Sequence, residues 1–153
     1  MSIVCVDAGF LIGLYQHSDQ YHHTAQEHFV RFFDQGINRL LIPWPTLYES
    51  VSTRMVRNRN WIIALDQDWR ILRGRGQLDL IEDQPFRHNA IQDCLTEPAR
   101  PGARYRTLSL TDRVIRYMLA DVNLRIDALI TYNPNDFRDV CTQYRKTLIA
   151  SDA

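Results

Sequence analysis

The sequence predicts an α/β fold: a three-layer α/β/α sandwich around a mostly parallel central sheet of four to five strands. Two observations predict it. Short, β-rich apolar runs without polar alternation recur along the chain, as expected for strands covered on both faces. Between them lie segments with apolar residues at helical spacing, and such alternation implies parallel strands joined by crossover helices. No repeat, low-complexity tract or linker interrupts the pattern, so residues 1–150 are expected to form one domain.

The first strand is "SIVCVD" (2–7), followed by a short helix at 9–16. In residues 21–36, Ala25, Phe29, Phe32 and Phe33 fall at helical spacing and Gly36 offers a C-cap. "RLLIP" (39–43) is the second strand. Proline in the first turn then opens a helix expected over 45–58. Residues 61–73 form another, with Ile62, Leu65, Trp69 and Leu72 on one face. "LDLIED" (78–83) is the third strand, with a helix around 85–95 and a proline- and glycine-bearing loop at 96–106. Val114, Ile115, Met118 and Leu119 make 109–123 an amphipathic helix. "IDALITYN" (126–133) is the fourth strand, 135–146 a last helix, and 147–150 a short final strand.

The bulk composition is that of an ordinary globular chain, with 45% hydrophobic and 24% charged residues. Eighteen basic and eighteen acidic residues cancel, which removes a global field attractive to nucleic acid but not a local one. Of the basic residues only Lys146 is lysine. Cys5, Cys94 and Cys141 are widely spaced, without a Cys-x-x-Cys pair. Cys5 lies in an apolar strand and reads as a buried free thiol, which suits a reducing compartment. The N-terminus has no basic start and Asp7 interrupts its apolar run, so neither a signal peptide nor a membrane span is expected. A cytoplasmic protein is the expectation.

In an open parallel sheet all strand C-termini reach one edge, where ligands bind. Asp7 closes the first strand, though an N-cap for the following helix explains it equally well. Glu49 stands in the first turns of the helix after the second strand, where a carboxylate also favours the helix dipole. Asp112 lies in "SLTD", a Ser-x-x-acid capping box. Thr131, Asn133 and Asp136 follow the fourth strand, in a segment rich in turn residues. Each has a local explanation, but together they bring four acids toward one edge. Clustered carboxylates repel unless a cation neutralises them. Oxygen donors without a His or Cys pattern suit Mg²⁺ or Mn²⁺ rather than Zn²⁺.

The segments "VDAGFLIGLY", "IPWPTLYES", "LSLTDRVI" and "ALITYNPNDF", in that order, resemble the PIN-domain metal-dependent ribonucleases, among them the toxins of type II toxin–antitoxin pairs. "YHHTAQEHF" resembles the second helix of one PIN subgroup. The resemblance covers 1–56 and 108–140, and 57–107 poorly. It implies a Mg²⁺- or Mn²⁺-dependent endoribonuclease with Asp7, Glu49, Asp112 and Asp136 as catalytic and metal-binding residues, and Thr131 and Asn133 in the pocket. It also implies an RNA substrate, a cognate antitoxin as partner, and a homodimer. Two departures bear on activity: Ala8 and Gly9 stand where relatives carry small hydroxyl residues, and Asn133 stands where many carry aspartate.

Other signals carry less. His17, His22, His23 and His28 do not form a His-Glu-x-x-His motif, and His23 with Glu27 reads as a solvated helix face. "GRGQ" (74–77) lacks the third glycine of a phosphate-cradling loop. Asp127 precedes the fourth strand and belongs to the opposite edge. Arg54, Arg57, Arg59, Arg70, Arg73 and Arg75, near Trp61 and Trp69, suit an RNA backbone, an acidic partner segment or solvent. A receiver-like phosphoacceptor needs two acids after the first strand and finds one, and "DAG" excludes an Asp-x-Asp phosphatase. A catalytically degenerate PIN fold that binds RNA or protein remains the main alternative.

Overall fold

The computed structural model describes residues 1–102 and 104–152; residue 103, inside the expected 96–106 loop, and residue 153 lie outside it. Among the described residues five strands pair in one sheet: β1 (Ile3–Val6), β2 (Arg39–Pro43), β3 (Leu78–Ile81), β4 (Ala128–Ile130) and β5 (Thr147–Ile149). All pairings are parallel, in the order β3-β2-β1-β4-β5. The helices are α1 (Ala8–Tyr15), α2 (His22–Phe32), α3 (Trp44–Ser50), α4 (Thr53–Arg57), α5 (Arg59–Gly74), α6 (Gln84–Thr96), α7 (Leu110–Ala120) and α8 (Arg138–Gln143). No described helix is long and apolar enough to cross a membrane.

Strands pleat with period two, and here both faces meet apolar layers, which is why the strand sequences do not alternate. Val4, Val6, Leu40, Ile42 and Ile130 join one core with Phe10, Leu11 and Phe33. Cys5, Leu41 and Leu129 point the other way, into a core with Ile115, Met118 and Phe137. The sheet thus separates two hydrophobic layers.

Three expected helices are shorter or divided. The helix expected over 45–58 is interrupted at Val51 and Ser52, whose ψ angles of 62° and 176° are not helical. Buried Ser50 donates its hydroxyl to the Thr46 carbonyl at 2.6 Å, and such back-bonding bends helices. The helix expected over 21–36 stops at Phe32; Gly36, at φ +75°, serves the turn beyond rather than the helix end. Over 135–146 a 3₁₀ turn at Pro134–Asp136 precedes the short α8, because fully buried Phe137 takes a non-helical φ of −130° between them. The loop expected at 96–106 begins with a 3₁₀ turn at Glu97–Ala99.

The order of strands positions the site. From β1 the chain builds outward through β2 and β3, then returns to the far side of β1 with β4. The crevice beyond the C-terminal ends of β1 and β4 is therefore the topological switch point, where open α/β sheets bind ligands.

Candidate active site

Asp7 and Thr131 stand on the two sides of this crevice. Asp7 follows β1 and N-caps α1, with Oδ1 accepting from the Ala8 N–H at 2.8 Å. Its Oδ2 accepts from the Thr131 hydroxyl at 3.0 Å, across the switch point. Thr131 Oγ1 in turn accepts the Asn133 N–H at 3.1 Å. Capping and site geometry are thus both present in one side chain. Asp7 is only 6% exposed. Burial pushes its carboxyl up to about 6, with the charges of Asp112 and Glu49 acting in the same direction and the Ala8 and Thr131 hydrogen bonds opposing.

Asp112 completes the expected capping box: its N–H donates to Ser109 Oγ at 3.1 Å, and its Oδ2 accepts from the Ser109 N–H at 3.2 Å. The same carboxylate acts electrostatically on Asp7 and Asp136. Asp136, half-buried in the 3₁₀ turn, is raised by burial and by Asp112, while Arg106 and Arg116 pull it down. Glu49, on α3, is exposed, and Asn133 is exposed beyond β4. The four acids therefore interact through Asp112 and Asp7. Among the described residues no three His, Cys, Asp or Glu side chains converge closely enough to enclose a metal ion as they stand. Their chemistry is a hard, all-oxygen donor set. Asp127 binds the Ile3 N–H at 2.8 Å on the opposite edge, as expected.

A groove of about 600 Å³ opens beside Glu49, walled by Tyr48, Ile91, Leu110 and Thr111. Two features of the surroundings escaped the sequence. His28, which forms no motif in the sequence, is buried: its Nδ1 lies 3.0 Å from the Tyr132 hydroxyl and its ring stacks on Tyr132. His22 likewise bonds the Gly13 carbonyl at 2.8 Å, whereas His23 pairs with Glu27 at 3.0 Å on an exposed face. The second feature is Arg106 and Arg116, which share Asp139 and touch the carbonyls of Asn135 and Asp136. The signal available was Arg116 one helical turn beyond Asp112, and Asp139 three residues beyond Asp136.

The fold is PIN-like, with five parallel strands in one sheet flanked by helices. No protein-family model matches the sequence, and no curated protein matches it. Among solved structures the chain is similar to Mycobacterium tuberculosis VapC20, described as a Sarcin-Ricin loop cleaving toxin. The match covers 89% of this chain and 94% of that one, with a TM-score of 0.58 and 14% sequence identity.

Proposed function

We propose that this protein is a PIN-domain endoribonuclease that hydrolyses RNA phosphodiester bonds with Mg²⁺ or Mn²⁺, acting as the toxin of a type II toxin–antitoxin pair. The observation that supports it is Asp7: a carboxylate at the switch point, raised by its burial and further by the charges of Asp112 and Glu49, and held in orientation by Ala8 and Thr131. Groups with perturbed titration in such clefts mark functional sites. Asp7 and Asp112 would hold the cation, with Glu49 and Asp136 turning in to complete the donor set. A bound divalent ion supplies a lowered pKa for water and charge compensation on the phosphate.

The chain's own residues do the rest. Thr131 and the Ala8 N–H orient the two oxygens of Asp7, and Ser109 orients Asp112. The groove beside Glu49, with Tyr48 76% exposed, gives an unpaired base a stacking surface. The structural likeness to a toxin that cleaves the Sarcin-Ricin loop supports RNA as the substrate class.

The test is cleavage of RNA by the purified chain with Mg²⁺, set against EDTA and against Asp7→Asn. Cleavage that survives EDTA, or that a folded Asp7→Asn retains in full, overturns the mechanism. Co-purification with the product of the adjacent gene tests the toxin role, and light scattering tests the homodimer. A binding module that retains the fold without cleavage is favoured by Ala8, Gly9 and Asn133, which stand where PIN-domain ribonucleases carry hydroxyl residues and aspartate. RNA binding without turnover in any divalent metal would establish it.

A further inference from the structure

Three arginines meet in a cavity of about 250 Å³ where α7 faces α8. Arg113, next to Asp112, is 3% exposed. Its Nε donates to the Leu108 carbonyl at 3.2 Å and its Nη1 to Glu97 at 2.7 Å. Its Nη2, although buried, finds no acceptor among the described residues. Arginine presents five donors in a rigid fork, and a buried one without an acceptor is costly.

Arg106 and Arg116 line the same cavity and both lean on Asp139, at 3.0 and 2.8 Å. Arg106 also donates to the Asn135 carbonyl at 3.1 Å and Arg116 to the Asp136 carbonyl at 2.8 Å. The arginine cavity is thereby tied to the turn that carries Asp136. Two carboxylates of its wall are engaged, Glu97 by Arg113 and Asp93 by the Tyr117 hydroxyl. The volume falls below the roughly 300–1,000 Å³ of small-molecule sites, yet admits a single tetrahedral group.

We propose that this cavity binds a backbone phosphate of the RNA, next along the strand from the one facing the cation that Asp7 and Asp112 would hold. The phosphate takes the place of the Asp139 carboxylate on Arg106 and Arg116 and accepts from Arg113. Guanidinium forks match phosphate oxygens in pairs, whereas a lysine acts as a point charge. The inference rests on the ribonuclease reading, and its test separates the two.

The experiment measures binding of a short single-stranded RNA to the full chain in EDTA, over a range of salt. Arg106→Gln is expected to weaken binding about fivefold and to lower the salt slope by about 0.7, the loss of one phosphate contact on a single strand. Arg113→Lys should weaken binding while keeping the slope. Asp139→Asn is expected to tighten binding, because it frees two guanidiniums; if Asp139 served only to brace α8, its loss would weaken binding or leave it unchanged. Melting curves establish that each variant is folded. If the parent binds RNA and Arg106→Gln and Asp139→Asn leave affinity and slope unchanged, the subsite is overturned and the ribonuclease reading stands. An acidic peptide whose binding depends on Arg106 while RNA binding does not overturns it in favour of a protein partner. A parent that neither binds nor cleaves RNA overturns both.

Discussion

Replacing Asp7 with Asn should stabilise the metal-free protein at neutral pH. The parent carboxyl titrates at about 6 in the fold against an ordinary 3.8. At about 1.4 kcal/mol per pH unit, that gap is worth about 3 kcal/mol against the folded state once Asp7 is ionised. Below pH 3.8 the carboxyl is protonated in both states and the penalty is absent. It grows between pH 3.8 and 6 and is constant above. Asn keeps the cap, since its oxygen still accepts from the Ala8 N–H, and its amide donates to Thr131 Oγ1. Realigning the Thr131 hydroxyl returns about 1 kcal/mol. The net gain of about 2 kcal/mol corresponds to about 4–8 °C in Tm for a chain of this size. Paired melting curves in EDTA at pH 4 and pH 7 measure it. Asp7→Asn should melt higher at pH 7 and at or slightly below the parent at pH 4. A variant that is less stable at pH 7, or a gap that does not change with pH, would refute the electrostatic account of the site.

Asp112→Asn weakens the capping box by about 1 kcal/mol or less but relieves repulsion on Asp7 and Asp136. Its Tm in EDTA should equal or exceed the parent's, and its stabilisation by millimolar Mg²⁺ should shrink. RNA cleavage should return after EDTA treatment on adding Mg²⁺ or Mn²⁺ and poorly on adding Zn²⁺, as gel assays with each metal would reveal. Gly9→Ala should add about 0.5–1 kcal/mol by denaturant titration, because its Cβ would meet Tyr132 at an ordinary 3.7 Å inside a helix. Gly13→Ala should instead destabilise, with its Cβ pressed to 3.3 Å from both Ala25 and the Tyr21 carbonyl.

The inner strands β1, β2 and β4 were legible because each is buried on both faces, which writes an uninterrupted apolar run into the sequence. Their parallel direction also follows from strand–helix alternation, and with it the shared edge that carries Asp7 and Thr131. The break between α3 and α4 was hidden because it depends on the Ser50 hydroxyl turning back onto Thr46, and serine sits in helices as well as in breaks. His28 was hidden because histidine suits either side of a helix: it shares the face of Ala25 and Phe32, and only the fold brings Tyr132 against it. The arginine cavity was hidden for a related reason. Arg106, Arg113 and Arg116 form no motif in the sequence, and only the fold brings Asp139 and Glu97 to them. At Asp112 the local and the long-range explanations coexist in one carboxylate, so the capping pattern alone did not separate them.

The position of β1 in the middle of the sheet has a consequence during synthesis. The Asp7–Thr131 hydrogen bond spans 124 residues of chain. While the ribosome has delivered only β1, β2 and β3, the central strand has a neighbour on one side, and the crevice lacks its second wall. Thr131, Asp136 and the β4 and β5 pairings all arrive only once residue 128 has been passed. At about 5–20 residues per second, the emerging chain spends several seconds with Asp7 made but its partners missing. A nascent chain of the proposed ribonuclease thus cannot attack RNA near the ribosome that is making it. Any truncation before β4 should be inert by the same geometry.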